Sequence, residues 1–598
     1  MRHFLALLLL FTLSRPALSQ LSVEWYKTSL PFGSIMVTHD DAFFMYGQYP
    51  DPLDLSGDGA TDLDTLGGSD AYLAHFDAAG NLIWARRAGG STPSPIGLEA
   101  FGSPRLTTDT AQALAEDASG NLYLGGQFRG AIDFDEDATP ELTSADSIAA
   151  FIAQYGPDGT FNWARSLPLR NGTLRQLLVD PTANALYAFG LCQGNDQEPD
   201  TSSVTPYLHQ AFYGRLDLDG NLEWLHRTET DPLSPFPPIW MGKPAQDAHG
   251  QLIVPGRFVR QVDFDSEGPF QPVGDAQTNA AFILTIQADG AISSLQTASG
   301  VLSPGWGRVY AMDDGIIVQG GKRHGELTFT GQDSTFTLAS SGRTESVMAR
   351  YDNEDQLVWT WTSSSTLTPT RPPPFNFSLS FTSGHDGAVD HKQRIWLAGQ
   401  SSGSVSFDRD SIPELVSRQG TAFLNAFSTE GESILFHSPA VPADTTSSSY
   451  WNQVAPTSNG LLVSGLFRGM IDLDGAGPTP MLAEELATIL VKYRFDEASV
   501  LHRPEEQALP PADFSISPPF PNPAQSSSQI IVQTSTPQHI TVSLIDVLGR
   551  EVKHLFDGNL AANTPKTLTI DLNKLPAGTY FIRAAGNLKV VTRPVVRR

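Results

Sequence analysis

Carboxylates at alternate positions are the first residues in this chain whose spacing carries chemistry. Asp54-Leu55-Ser56-Gly57-Asp58-Gly59 and Asp133-Phe134-Asp135-Glu136-Asp137 offer side-chain oxygens at every second residue. Echoes occur at Asp263-Phe264-Asp265, Asp408-Arg409-Asp410 and Asp472-Leu473-Asp474-Gly475. A hard cation such as calcium takes roughly six to eight oxygens, and a glycine lets the chain wrap around it. Asp54, Asp58, Asp133, Asp135 and Asp137 are therefore candidate calcium ligands. Only Asp54 to Gly59 follows the opening D-x-S-x-D-G pattern well. None of the loops has a convincing glutamate at the twelfth position, where Thr65 stands in the first case. The same residues also fit a plainer reading, in which the first aspartate begins an edge strand and the rest are solvated turn residues. Calcium is thus the one cofactor the sequence leaves open.

Other chemistry is sparse. His385-Asp386 and Asp390-His391 suggest a metal pair, but they fall at the start of a strand and in the turn that ends it. Six strand residues separate them by about 20 Å, too far for one ion with histidine ligands at about 2 Å. There is no nucleophile elbow, no zinc-protease helix, no phosphate loop and no cysteine–histidine pattern, so no catalytic residue is named. Paired acids brought together from separate repeats would escape such a search.

These residues sit in a repeat. Gly47, Gly126, Gly190, Gly256, Gly320, Gly399 and Gly465 each close an apolar run and lie 64 to 79 residues apart. In the second copy the spacing predicts strands over Ala111 to Glu116, Asn121 to Phe128, Ala149 to Tyr155 and Phe161 to Ser166. The turns between the first pair and the last pair are made of Ala118-Ser119-Gly120 and Gly156-Pro157-Asp158-Gly159. Trp84, Trp163, Trp224 and Trp359 mark the fourth strand, with Leu295 and Phe436 expected in the same place. Four-stranded units in series read as a β-propeller, because each sheet hides its faces only against its neighbours. The seventh repeat, ending at Ala487 to Phe495, has no fourth strand. Ser22 to Leu30, with Trp25, supplies one from the N-terminus and removes an open edge. Strand alternation puts the short turns on one rim and the long loops on the other. The long-loop rim carries insertions near 88–108 and 362–385, the second containing Arg371 to Phe377. It is the candidate working face, with variable, ligand-free surface loops as the alternative. The repeat phrase resembles the secreted bacterial β-propeller-repeat family, which implies a fold and no particular activity.

The two ends describe a route. Met1-Arg2-His3, an apolar run from Phe4 to Leu13 and Ala17-Leu18-Ser19 form a signal-peptide pattern too short to span a bilayer. The last part opens with Pro519-Phe520-Pro521-Asn522-Pro523, continues through Val542 to Val552, and ends with Leu575 to Ala584 and Lys589 to Arg598. This block resembles the type A C-terminal sorting domain of the Bacteroidota type IX secretion system. The resemblance implies an Ig-like β-sandwich that addresses the protein to the export machinery. It also implies a sorting signal at Leu575, Pro576, Ala577, Gly578, Thr579, Tyr580, Lys589, Val590 and Val591.

The expected architecture is all-β. It has a signal peptide over 1–19, a seven-bladed propeller over 20–498 closed by the N-terminal strand, a linker over 499–513 and a sorting domain over 514–598. Cys192 is the only cysteine, so no internal disulfide forms. The formal charge of −27 is uneven, with nine Lys or Arg against four Asp or Glu from Ala524 onward. An acidic body of this kind repels nucleic acid and anionic head groups. No stretch is long and apolar enough for a transmembrane helix. The expected protein is secreted or on the cell surface, reached through the periplasm. Its partners are the secretion machinery and an extracellular glycan or protein. The sequence favours a non-catalytic binding, adhesion or structural module, against a hydrolase or lyase that uses carboxylates from several blades on extracellular polysaccharide.

Overall fold

A computed structural model describes residues 21–31, 33–66, 69–90, 109–193, 210–230, 239–265, 273–274, 279–300, 305–323, 327–330, 335–338, 344–354, 356–366, 381–407, 415–440, 447–473, 481–495, 514–517, 519, 522, 524–534, 537–546, 550–561, 564–573, 575–576, 578–585 and 590–597. The signal-peptide pattern, the linker at 499–513, the insertion residues 91–108 and 367–380, Ala577 and Lys589 lie outside the described residues. The chain divides into two compact units, Met1–Asp496 and Glu497–Arg598. All described elements are strands.

Short aspartate turns build the first unit. The Asp117 carboxylate accepts from Ser119 N and Asn121 N at 2.8 and 2.9 Å, and from Asn121 Nδ2 at 2.9 Å. Asp77 and Asp217 hold Asn81 and Asn221 in the same way. Gly80 and Gly220 supply the left-handed residue, at φ of 84° and 82°, where a side chain is disfavoured. Such turns reverse the chain tightly and leave antiparallel neighbours. Thr110–Glu116, Leu122–Ile132, Leu142–Tyr155 and Phe161–Ser166 pair in sequence as one meander. The second and third strands of this meander run longer than the sequence pattern predicts.

Among the described residues four such four-stranded sheets stand alone, and a seven-stranded and a nine-stranded sheet contain three further runs of four antiparallel strands, so seven meanders can be traced. Two deserve their limits. The first comprises Gly33–Val37, Phe43–Tyr49, Asp70–Phe76 and Leu82–Ala88. The last comprises Ser448–Thr457, Gly460–Ile471 and Met481–Phe495, and its fourth strand is Leu21–Thr28 from the other end of the unit. Trp25 lies opposite Lys492 in that pairing. Apolar faces close between successive meanders: Phe44, Leu73 and Trp84 of the first pack with Leu122, Phe151 and Tyr155 of the second. Leu462 and Leu490 of the last pack with Phe43, Tyr72 and Phe76 of the first. First strands of most neighbouring meanders touch one another, including Gly33–Val37 against Ser448–Thr457. They therefore run nearest a common axis, and the architecture is all-β and propeller-like.

The indoles of the fourth strands stitch the meanders together. Trp84 Nε1 donates to Pro157 O of the next meander at 3.3 Å, Trp224 to Ala288 O at 3.3 Å and Trp359 to Thr429 O at 2.8 Å. Each ring lies over the left-handed glycine of that turn: Gly159, Gly290 and Gly431. Trp25 does the same to the first meander, with Nε1 at 3.3 Å from Ala78 O and the ring over Gly80. Leu295 and Phe436 do not occupy this register. A bulge after each turn puts Trp84 opposite His75, whereas the residues in that position are Ser294, opposite Thr285, and Leu435, opposite Ala426. The segment between the anchor glycine and the fourth strand differs in length from repeat to repeat, so counting from the glycine leaves these two strands one residue out of register.

The second unit has two sheets: Phe514–Ile516, Ser527–Thr534 and Lys566–Asp571 in one, and Gln538–Ile545, Glu551–Leu560, Gly578–Ala585 and Val590–Arg597 in the other. Ile530, Val532, Ile540, Val542, Ile570 and Ile582 fill the space between them. The alternating burial of Ser527–Thr534 is what a strand with one wet face requires.

Candidate functional site

The acidic loops lie on the long-loop side of the first and second meanders, between the second and third strands. Asp133 is 6% exposed, and its carboxylate accepts from Glu136 N at 2.8 Å and Ala138 N at 2.9 Å. Glu141 Oε2 accepts from Phe134 N at 2.7 Å. The result is a turn wrapped around its own acids, with ligand-capable oxygens of Asp133, Asp135, Asp137 and Glu141 all within 4.8 Å of one another. Glu136 and Ala138 take φ of 64° and 69°, a left-handed conformation costing about 1–2 kcal/mol per non-glycine residue. The carboxylate bonds offset that cost. Asp133 does not begin an edge strand; it follows Leu122–Ile132 and exchanges two 3.1 Å backbone bonds with Gly89 of the first meander.

The Asp54 loop has the same plan. Asp54 accepts from Gly57 N at 2.6 Å and Gly59 N at 2.8 Å, and Asp62 accepts from Leu55 N and Ser56 N at 2.7 and 2.8 Å. These bonds, led by Gly59, hold the Asp54 carboxyl below its ordinary range. Asp58 caps Ala60 N at 2.8 Å. Asp62 and Glu141 thus share the ninth position of their loops, and sequence reading for a twelfth-position glutamate passes over both. The signal that finds them is the repeated offset from Asp54 to Asp62 and from Asp133 to Glu141. Chemically, four carboxylates in one turn form an all-oxygen set suited to a hard cation.

Two other carboxyls on this side are of a different kind. Asp70 and Asp109 are 0% and 2% exposed. Burial pushes them up to about 6 and about 7, respectively, against backbone donors at Leu66 and Arg129. Asp70 Oδ1 has no hydrogen-bond partner. Gly89 permits this packing, because a methyl there would come within 2.1 Å of that oxygen. His385 and His391 fall on the strand Phe381–Val389 and in the turn beyond it, as their spacing predicts.

In the second unit the described sorting residues lie on, or just before, the last two strands of the four-stranded sheet. Tyr580 is buried, and its hydroxyl donates to Pro576 O at 2.9 Å, fixing the bend that enters Gly578–Ala585. Leu575 packs against the core from the same bend. Gly578 and Thr579 pair with Arg597 and Val596, while Val590 and Val591 pair with Ala585 and Ala584. Asn522 of the opening Pro-rich stretch accepts from Val596 N at 2.8 Å, so the two ends of the domain are tied together.

Residues 519–597 match the family model of the secretion system C-terminal sorting domain. No curated protein matches the chain. Among solved structures, a Dyadobacter fermentans protein of unknown function is 11% identical, covering 64% of this chain and 94% of its own, with a TM-score of 0.27. A mutant of the Synechocystis apocarotenoid oxygenase is 12% identical, covering 79% and 92%, with a TM-score of 0.32. A glycoside hydrolase family 43 arabinoxylan arabinofuranohydrolase from Bacillus subtilis is 9% identical, covering 95% and 94%, with a TM-score of 0.24. These likenesses carry no activity to this chain, and its fold rests on its own strand pairings. The chain ends in a type IX secretion sorting domain, which directs export to the medium or the cell surface.

Proposed function

We propose that the seven meanders are the blades of one closed propeller, and that its long-loop rim binds an extracellular glycan or protein without catalysing a reaction. The observation that carries this reading is how the rim acids are used. Asp54, Asp62, Asp133 and Glu141 each accept backbone N–H groups of their own loop, so they shape a surface and are already committed as acceptors. A general acid needs a proton to give and a free path to substrate. In this reading the secretion machinery takes the sorting domain, and Asp54, Asp58, Asp133, Asp135 and Asp137, with Glu141, are where calcium would stiffen the rim. A glycan and protein array probed with the full chain tests it: a defined hit that is recovered unaltered supports binding, and shortened glycan products refute it.

The second reading is a hydrolase or lyase, and one observation favours it. Asp70 and Asp109 hold carboxyls raised toward neutrality, the property an acid catalyst needs. Their near-complete burial weighs against it. Polysaccharide cleavage by the wild type that is lost in Asp109→Asn would establish this reading.

A further inference from the structure

The first strands of five meanders share a defect at one height. Each carries one extra residue just after the position that pairs with the anchor glycine of the second strand: Gln112, Arg175, Gly307, His385 and Asn452, beside Gly126, Gly190, Gly320, Gly399 and Gly465. A bulge re-aims the side chains beside it. In the closed propeller proposed above, first strands lie nearest the axis, so these bulges and the residues after them ring it on the long-loop side. Lys243 and Arg308 lie side by side there, joined by a parallel bridge in which Lys243 N donates to Gly307 O at 2.9 Å and Val309 N to Lys243 O at 3.0 Å. Arg308 of the fifth meander acts electrostatically on Tyr46 of the first, Lys243 of the fourth and His385 of the sixth. Groups of four meanders thus lie within electrostatic reach of one another, as they would near a common axis.

The charges there do not balance. Arg308 Nε contacts Asp386 Oδ1 at 3.0 Å, and the other Asp386 oxygen accepts Val454 N at 3.0 Å. Tyr310 donates onward to Gln319 at 2.9 Å. Lys243 has no ion pair or side-chain hydrogen bond among the described residues, and Asp386 acts on it only electrostatically while pairing with Arg308. Lys243 is solvent-exposed in area, yet desolvation by surrounding protein depresses its pKa, so its side chain stands among protein atoms while remaining open to solvent. An unpaired lysine beside this ion pair, in a chain of net charge −27, is a recognition feature with no structural partner. The negative Asp386 beside it disfavours a dianion and tolerates a single negative charge. Half-buried rings flank the cluster: Trp240 reaches Gly307, and Tyr450 packs on His385 with centroids 5.6 Å apart. Aromatic faces beside a lone cation suit a sugar ring that bears a carboxylate.

We infer that the axial passage inside the long-loop mouth is a binding site for an acidic sugar, with its carboxylate on Lys243 and its ring among Trp240, Tyr450 and His385. The inference rests on the reading of that rim as the binding face and adds the ligand class. Titration calorimetry on the full chain with D-glucuronate, D-glucose and acetate tests it. Glucuronate binds, glucose does not, and acetate binds at least tenfold more weakly than glucuronate. Lys243→Gln weakens glucuronate about tenfold or more, the usual effect of losing a charge-assisted bond, while Lys243→Arg retains it and both variants melt as the wild type does. Equal binding of glucose, acetate as tight as glucuronate, or wild-type affinity in Lys243→Gln would each overturn the assignment. A neutral glycan captured on an array, with no glucuronate binding, would leave the rim reading standing and remove this one.

Discussion

If Leu21–Thr28 closes the first unit, Trp25 should matter although it stands near the start of the described chain, where truncation is ordinarily tolerated. Its indole covers Gly80, lies 6.0 Å from the Phe43 ring centroid, and donates to Ala78 O at 3.3 Å. Removing a fully buried Trp costs about 3–5 kcal/mol. Trp25 is only half-buried, so the packing loss is roughly half of that, and a long, exposed hydrogen bond adds at most ~0.5 kcal/mol. The expected cost of Trp25→Ala is therefore about 2 kcal/mol. Trp84→Ala, which removes the same contact one meander on, should cost a similar amount. Deleting Leu21–Thr28 should cost more, because it also opens the edge of Met481–Phe495 that now pairs from Ile489 to Phe495. Denaturant unfolding of the three variants, followed by tryptophan fluorescence and circular dichroism, gives the comparison. Trp25→Ala and the deletion both unfolding at the wild-type midpoint would refute the closure.

Four more outcomes are expected. Deleting residues 514–598 should leave a folded first unit in the periplasm, checked by fractionation; normal release would contradict the role of the sorting domain. Gly159→Ala should cost about 1–2 kcal/mol, because φ is 77° and the added methyl would lie 2.8 Å from the Trp84 ring, as unfolding curves will report. Asp109 and Asp70 bind protons more tightly folded than unfolded, so their own contribution to stability is fully present below their ordinary value of 3.8 and is lost as pH rises through about 6 to about 7. Asp109 alone accounts for ~4 kcal/mol of that loss, and Asp109→Asn should flatten the curve measured between pH 4 and pH 8. Millimolar calcium should raise the melting temperature, and Asp135→Asn with Asp137→Asn should abolish the rise; no calcium effect on the wild type leaves a self-capped turn.

What the sequence revealed, and what it hid, follow from what each feature does to residue types. The turns were legible because a left-handed corner demands glycine and an Asx turn demands aspartate, so Asp77 to Asn81 and Asp217 to Asn221 print their geometry in their letters. The fourth strand from the N-terminus was legible because one repeat lacked it and Trp25 matched its type. The bulges at Gln112, Arg175 and His385 were hidden, since an extra residue in a strand changes neither composition nor turn chemistry. The axial cluster was hidden for the same reason: Lys243, Arg308 and Asp386 are far apart in sequence and belong to different meanders. At the rim, Asp133, Asp135 and Asp137 were found by alternation, whereas Glu141 was missed because the template searched for an acid at position twelve.

The distribution of tryptophan explains itself once the next meander is considered. An indole over a turn needs a flat, side-chain-free surface, and a left-handed glycine is the residue that offers one. Trp84, Trp163, Trp224 and Trp359 face Gly159, Gly220, Gly290 and Gly431. The position that holds Ser294 precedes a meander whose corresponding turn reads Asp352-Asn353-Glu354-Asp355-Gln356, without glycine. The position that holds Leu435 precedes the meander whose fourth strand comes from the N-terminus, so no such turn joins its last two strands. Tryptophan is absent in the two places where its platform is absent. By the same rule Gly80 calls for an indole from the meander before it, and the residue that answers is Trp25. The fourth strand of each meander is thus chosen by its neighbour's turn as much as by its own sheet, which is why a strand separated from its partner by more than 450 residues still carries the right side chain.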